Sequence, residues 1–279
     1  MVLWRYLQER FPVAPYALLV GLFYASGAMF AVRLGGGAPV FWTAPVLLLV
    51  FFHLRVFDEH KDYAKDLVSH PERLLSRGVV TLGMLKAWGA AAFVGEALLA
   101  CRSGKPGLLA WGAVVAFTVA MRFEFGVGSW LNRHIVTYAL THNPVVALLG
   151  VFVWATTGAA WKAEYFWFLG AISLGSLALE IGRKTRLSSE EVAGVESYSS
   201  VHGRKKAGLL VYACAALAAA CTICAIHTVS PDFIHAAPSL GGVLAARAFT
   251  RDDVPVKKVE LGASLALLLN FGGLIWASA

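Results

Sequence analysis

The chain has 279 residues, of which 58% are hydrophobic and only 15% are Asp, Glu, Lys or Arg. A soluble domain of this length carries about 25% charged residues, because it needs a polar surface. The charges here are also bunched, which leaves long apolar stretches and excludes an ordinary soluble fold. The net charge of +7 does not indicate nucleic-acid binding, because the basic residues fall mainly in a few loops between those stretches.

The N-terminal segment is charged and aromatic and has no signal-peptide pattern. We expect a short helix at the membrane interface, with Trp4, Tyr6 and Phe11 at the level of the lipid headgroups. Arg5 and Arg10 are expected to face anionic lipid.

Eight apolar stretches are close to the roughly 20 residues that cross a bilayer. They fall at about 14–32, 40–57, 80–100, 107–125, 136–157, 164–181, 207–227 and 259–278. A ninth and weaker stretch, 233–249, spans the membrane, dips into it or lies on it. Nine spans with a cytoplasmic N-terminus place most Lys and Arg on the cytoplasmic side, and eight spans do so less well. We therefore predict an all-α polytopic bundle of about nine transmembrane helices.

Two long charged loops, 58–79 and 183–206, fall on the predicted cytoplasmic face, where a site for a charged substrate is expected. In the first loop, Asp58, Asp62 and Asp66 are spaced i, i+4, i+8, and Glu59 is offset by one residue. If the preceding span continues as a helix, the carboxylates share one face and repel each other unless a cation binds. Mg²⁺, which prefers carboxylate and phosphate oxygens, satisfies such a row. The alternative is a solvated helix end neutralised by nearby lysines.

Arginines follow the acids on the same loop, at Arg73 and Arg77. Arg is suited to bidentate recognition of phosphate. Acids for a metal and arginines for phosphate, beside an apolar bundle, indicate a substrate with a diphosphate head and a hydrocarbon tail.

The first loop resembles the first motif of the UbiA-type intramembrane prenyltransferase superfamily, Asn-Asp-x-x-Asp-x-x-x-Asp. Asp58 and Glu59 replace the leading Asn and Asp, and Asp62 and Asp66 fill the later positions. The stretch 71–78 resembles the segment that follows, keeping an Arg and the Gly. The resemblance covers nearly the whole chain and implies one prenyltransferase-like domain, residues 1–279, with the helices around a central cavity.

The family's second motif falls after the sixth predicted span and is only partly matched. Glu180 resembles its first acid, and Gly194, Ser197 and Gly203 resemble its tail. A basic pair replaces a further acid. The resemblance implies that Mg²⁺ is held by acids of both motifs: Asp58, Glu59, Asp62, Asp66, Glu180, Glu190 and Glu191. We expect diphosphate contacts from basic residues of the cytoplasmic face, with the basic pair that departs from the family motif among them: Arg73, Arg77, Arg133, Arg183 and Lys184.

The leading interpretation is an Mg²⁺-dependent enzyme of the bacterial inner membrane, with its site facing the cytoplasm. It transfers a prenyl group from an allylic prenyl diphosphate to an aromatic or lipid-like acceptor, and Asp58, Asp62 and Asp66 are the predicted catalytic acids. The alternative is a membrane terpene cyclase that uses the same site without an acceptor. A non-enzymatic transporter is disfavoured, because it does not explain the two charged loops on one face and no internal repeat is evident.

Overall fold

The computed structural model describes residues 1–192 and 195–279, so Gly194 of the second motif lies outside the described residues. Those residues form α-helices, short 3-10 turns and loops, with no β-strand among them. The helices are α1 (Val2–Arg10), α2 (Val13–Arg33), α3 (Thr43–Ser69), α4 (Leu82–Ala100), α5 (Gly104–Arg122), α6 (Gly128–Leu131), α7 (Ile135–His142), α8 (Pro144–Thr156), α9 (Tyr165–Gly182), α10 (Tyr198–His202), α11 (Arg204–Val229), α12 (Ala237–Phe249) and α13 (Val256–Ser278). The all-α prediction is confirmed.

Six helical stretches among the described residues are long and apolar enough to cross a membrane. They are Val13–Arg33, Leu82–Arg122, Ile135–Thr156, Tyr165–Gly182, Arg204–Val229 and Val256–Ser278. The second of them, with 41 residues, contains both α4 and α5. The protein is therefore an integral, multi-pass membrane protein.

Helix α3 extends beyond the apolar part of its sequence. It has 27 residues, or about 40 Å at 1.5 Å per residue, which exceeds the roughly 30 Å of a hydrocarbon core. The predicted span 40–57 covers its first part, and the acidic row continues as helix to Ser69. The helical spacing assumed for Asp58, Asp62 and Asp66 is therefore confirmed.

Helix α12 corresponds to the weakest predicted span. Its 13 residues measure about 20 Å, which is shorter than a hydrocarbon core. It packs between α11 and α13, with Ser239, Gly242 and Ala246 buried.

The apolar core lies between the spans, and its largest cluster joins α2, α3, α8, α9 and α13 around aromatic side chains such as Phe30, Phe152 and Phe168. A second cluster joins α9, α11, α12 and α13. A third lies between α1, α3, α4 and the turn around residues 74–80. These clusters fix the positions at which α3 and α9 end, and α7 begins, on the face that carries the charged loops.

The prediction that the N-terminal helix presents its aromatic residues to lipid headgroups is partly wrong. Tyr6 is fully buried and Phe11 nearly so, because both pack into the third cluster. Arg10 does not face lipid, since it forms an ion pair with Glu59. Trp4 and Arg5 are exposed, as expected.

The close approach of α12 to α13 predicts opposite effects of one substitution at two neighbouring glycines. A Cβ at Gly242 would lie 2.8 Å from the Cα of Ala266, whereas one at Gly241 would lie 3.9 Å from the Cδ1 of Leu269. Gly241→Ala should raise the free energy of unfolding by up to about 1 kcal/mol through helix propensity. Gly242→Ala should lower it by about 1–3 kcal/mol, because backbone has to move. Thermal unfolding of the two variants in detergent checks this, and equal shifts would contradict the packing.

Candidate functional site

The acids of the first loop occupy different environments although they are close in sequence. Asp62 lines a cavity and makes no ion pair within the described residues. Asp58, one turn earlier, has its side chain half exposed, and its carboxylate is 4.0 Å from the guanidinium of Arg55. Asp66 is ion-paired with Arg73. Asp58 and Asp62 are thus the two acids of the row that no short ion pair engages.

Glu59 is not brought to this cavity. Its side chain is 1% exposed, and its Oε1 lies 2.6 Å from the Nε of Arg10. The one-residue offset turns it away from the face of Asp58 and Asp62, towards α1. The predicted ligand role of Glu59 therefore finds no support in this placement.

A cavity of about 860 Å³ opens beside Asp62, at the charged end of the bundle. Its walls come from α3, the end of α5, the segment leading into α7, and the second loop. They are formed by Lys61, Asp62, Ala64, Lys65, Arg122, Phe123, Glu124, Leu131, Asn132, Ile135, Tyr138, Lys184 and Glu196. Basic side chains and a partly apolar, aromatic wall therefore lie in the same cavity as Asp62. A smaller neighbouring pocket shares Lys61 and Arg122 with this cavity and is also lined by Asp58.

Lys61 stands at the centre of the polar contacts in the cavity wall. Its ammonium is hydrogen-bonded to the Tyr138 hydroxyl and lies 3.9 Å from the carboxylate of Glu124. Asn132 Nδ2 donates to the other oxygen of Glu124 at 3.0 Å. These contacts join α3 to the segment between α5 and α7.

The backbone of that segment is strained next to the cavity. Glu124 has φ 48° and Phe125 has φ 54°, followed by Gly126 at 75°. Left-handed conformations cost roughly 1–2 kcal/mol at non-glycine residues. The surrounding contacts have to hold them, and such strain is concentrated at functional sites.

The electrostatics of the first loop favour a bound cation. Burial raises the pKa of the Asp62 carboxyl; the charges of Asp58 and Asp66 add to this, and those of Lys61 and Lys65 oppose it. Burial lowers the pKa of the Lys61 ammonium, but Tyr138 and the acids outweigh that effect and hold the pKa above its ordinary value. Lys61 therefore stays charged beside acids that repel one another.

The acids predicted as metal ligands in the second motif already contact other groups of the protein. The oxygens of Glu180 lie 2.6 Å from Arg183 Nε and 2.8 Å from Lys184 Nζ. Glu190 accepts backbone hydrogen bonds from Leu187 and Val256, each at 3.0 Å. Both oxygens of Glu180 and the carboxylate of Glu190 are thus already satisfied by the protein.

Glu191 is engaged in the same way. It accepts hydrogen bonds from the hydroxyls of Ser197 and Ser199 at 2.7 and 2.8 Å. Like Glu180 and Glu190, it does not line the cavity. The predicted second side of the metal clamp is therefore not assembled as free carboxylates.

The remaining predicted phosphate contacts lie at different distances from the cavity. Lys184 lines it. Arg73 is held by Asp66, Arg77 is exposed, and Arg133 donates from Nε to the backbone oxygen of Ser129 at 3.1 Å.

The donor set fits one hard cation better than two. Among the described residues, no three His, Cys, Asp or Glu side chains converge on a ready metal position. Mg²⁺ commonly uses one or two carboxylates and completes its octahedron with water and substrate phosphate. Asp58 and Asp62 can supply that pair. The second loop contributes one cation, Lys184, and one acid, Glu196, to the cavity wall, whereas the predicted ligands Glu180, Glu190 and Glu191 do not line it.

Sequence reasoning missed Lys61, Lys65, Arg122 and Glu196 as wall residues of the cavity. Lys61 and Lys65 are spaced i, i+4 next to the acid row, so the helical period that aligned the acids also aligned them. Arg122 ends a predicted span, which placed it on the correct face without linking it to Asp62.

Substitution of two lysines that line the cavity should affect hydrogen exchange in the segment 123–138 differently. Lys61 holds Tyr138 and Glu124, whereas Lys65, one turn later, forms no ion pair within the described residues. Lys61→Met should speed amide hydrogen exchange across 123–138 about tenfold or more, because a charged hydrogen bond contributes roughly 1.5–3 kcal/mol. Lys65→Met is the matched control. Equal exchange in the two variants would contradict the assigned contacts.

The fold is similar to that of two solved structures. One is the apo structure of a UbiA homologue from Aeropyrum pernix K1, with a TM-score of 0.71, 17% identity and coverage of 95% of this chain and 96% of that chain. The other is a digeranylgeranylglyceryl phosphate synthase, with a TM-score of 0.64, 15% identity and coverage of 99% and 98%.

Comparison of sequences gives no match: no protein-family model fits the chain, and no curated protein matches it. The similarity therefore lies in the arrangement of the helices, over 96% and 98% of the two solved chains. The fold that the family resemblance implies is confirmed: the chain has a UbiA-like fold.

Proposed function

We propose that the protein is an Mg²⁺-dependent intramembrane prenyltransferase that ionises an allylic prenyl diphosphate and transfers the prenyl group to an aromatic or lipid-like acceptor. The observation that carries the proposal is the cavity of about 860 Å³, where Asp62 faces Lys61, Arg122 and Lys184 at the charged end of an apolar bundle. A substrate with a charged head and a hydrocarbon tail matches both halves of that environment.

Asp58 and Asp62 are proposed to hold a single Mg²⁺, which supplies Lewis-acid stabilisation of the departing diphosphate. Asp66 supports this pair through Arg73, which orders the turn after α3. Glu59 is left out of the set because Arg10 engages it.

Protein cations are proposed to replace a second metal ion. Lys61, Arg122 and Lys184 line the cavity, and Arg183 shares Glu180 with Lys184. An arriving diphosphate would compete with Glu180 for Arg183 and Lys184, because both basic side chains form charge-assisted hydrogen bonds with phosphates as well as with carboxylates. Arg73, Arg77 and Arg133 remain predicted contacts at the rim.

In the proposed reaction, the bond between the allylic carbon and the diphosphate oxygen breaks, and the electron pair leaves with the diphosphate. The acceptor's nucleophile then forms a bond to the allylic carbon and loses a proton. Glu124 is the proposed proton acceptor, because it lines the cavity and its carboxylate is positioned by Asn132 and Lys61. Aromatic faces of the wall, including Tyr138, can stabilise the developing cation.

The whole chain is proposed to act as one prenyltransferase-like domain, residues 1–279. We place it in the bacterial inner membrane with the cavity facing the cytoplasm, because nine spans with a cytoplasmic N-terminus put most Lys and Arg on the face that carries the charged loops. Its partners are then the prenyl diphosphate, a hydrophobic acceptor and the bilayer itself.

Diphosphate release by the purified protein in nanodiscs, with Mg²⁺ and prenyl diphosphates of increasing chain length, tests the proposal. Asp62→Asn should lower release about a hundredfold, the usual loss on removing one group that stabilises developing charge. Asp232→Asn, an exposed Asp→Asn control outside the cavity, should leave release unchanged. Lys184→Ala should raise the KM for prenyl diphosphate about tenfold, since it removes a charged contact.

The products separate the competing functions. Release that requires an aromatic or lipid acceptor, with a prenylated product, supports the transferase. Release without acceptor, accompanied by a cyclic hydrocarbon, would replace it by the terpene cyclase. Neither release nor binding of any prenyl diphosphate would overturn both.

A further inference from the structure

Helix α1 contacts the start of the acidic part of α3 and the turn that follows α3, through two consecutive residues of its last turn. Arg10 Nε lies 2.6 Å from Oε1 of Glu59, at the start of the acid row. Glu9 Oε1 accepts a hydrogen bond from the backbone N–H of Leu74 at 3.1 Å, in the turn that follows α3. The next residue back in that turn, Arg73, is the one that pairs with Asp66.

The Arg10–Glu59 ion pair neutralises a buried carboxylate, because the side chain of Glu59 is only 1% exposed. A buried carboxylate without a counter-ion costs several kcal/mol. Oε2 of Glu59 has no hydrogen-bond partner among the described residues. Arg10 is therefore the side chain that satisfies this acid directly.

A second arginine, Arg55, lies close to the start of the acid row. Arg55 lies on α3 one turn before the acids, with its guanidinium 4.0 Å from Asp58 and 3.5 Å from the hydroxyl of Tyr16. Arg10 neutralises Glu59, and Arg55 lies beside Asp58. Without Arg10, the buried charge of Glu59 would compete for Arg55 and alter the surroundings of Asp58.

Apolar packing holds α1 in the position that these polar contacts need. The ring centroid of Tyr6 lies 5.6 Å from that of Trp88 on α4. Phe11, which follows α1, lies 5.4 Å from Phe52 on α3. The outer face of the helix carries the exposed Trp4, which suits the membrane interface.

We propose that α1 is a positioning element of the site, and that Glu9 and Arg10 are positioning residues that hold the acid row of α3 and the turn 70–80 in one arrangement. The effect on catalysis rests on the proposed function, whereas the effect on the order of residues 58–78 does not. Arg10 touches neither the cavity nor the acids proposed to hold the metal, so its influence passes through Glu59, Arg55 and the helix.

Hydrogen exchange of the full-length protein in nanodiscs tests the positioning role without any ligand. Arg10→Ala should speed exchange of the amides in 58–78 about tenfold, and Glu9→Ala should do so mainly in 71–78. Amides of α9 should be unaffected. Arg10→Lys should restore most of the protection, and the exposed Arg5→Ala is the matched control. Unchanged exchange of 58–78 in Arg10→Ala would overturn the proposal.

A second readout separates positioning from simple charge balance. Arg10→Ala should raise the Mg²⁺ concentration for half-maximal diphosphate release several-fold. In Arg10→Ala/Glu59→Gln, which removes the unpaired charge, thermal stability should recover but the Mg²⁺ dependence should not. Full recovery of both would reduce Arg10 to a counter-ion and overturn the positioning role. If the wild-type protein releases no diphosphate, the proposed function fails, and the exchange experiment still decides the role of α1.

Discussion

The structure depends on the continuation of α3 beyond the apolar bundle as a regular helix. An acidic row is unfavourable on any helix, because carboxylates at i, i+4 repel. Here it lies where the membrane ends, so each acid has to be exposed, paired or matched by a ligand. Asp66 pairs with Arg73 and Glu59 with Arg10, while Asp58 and Asp62 are left to share the face beside the cavity. The helix thereby separates structural acids from those available to a cation.

The acids predicted as metal ligands in the second motif, unlike Asp58 and Asp62, are all paired with groups of the protein itself. Glu180 is neutralised by Arg183 and Lys184, its close neighbours in sequence, and Glu190 and Glu191 satisfy backbone and hydroxyl donors within the described residues. In the cavity, this loop presents Lys184 and Glu196, and α3 presents Asp62 together with Lys61 and Lys65. The proposed diphosphate, held together with one metal ion, would be matched by the wall cations Lys61, Arg122 and Lys184.

The parts of this site that were predictable from the sequence are those set by local periodicity. The period of 3.6 residues aligned Asp58, Asp62 and Asp66, and the length of the apolar stretches located the spans. The direction of Glu59 was not predictable, because it depends on Arg10, 49 residues away. The cavity wall likewise brings α3 together with α5, α7 and the second loop. Such contacts between distant segments follow from the packing of the bundle, which no single segment encodes.

The central claim is that one divalent ion, held by Asp58 and Asp62, is sufficient because protein cations replace a second one. The most direct measurement is the anomalous diffraction of crystals grown with Mn²⁺ and a non-hydrolysable prenyl diphosphate analogue. The account predicts one Mn²⁺ peak between the carboxylates of Asp58 and Asp62 and the diphosphate, with Lys184 on the phosphate oxygens. A second peak bound by Glu180, Glu190 or Glu191, or no peak at Asp62, would contradict it.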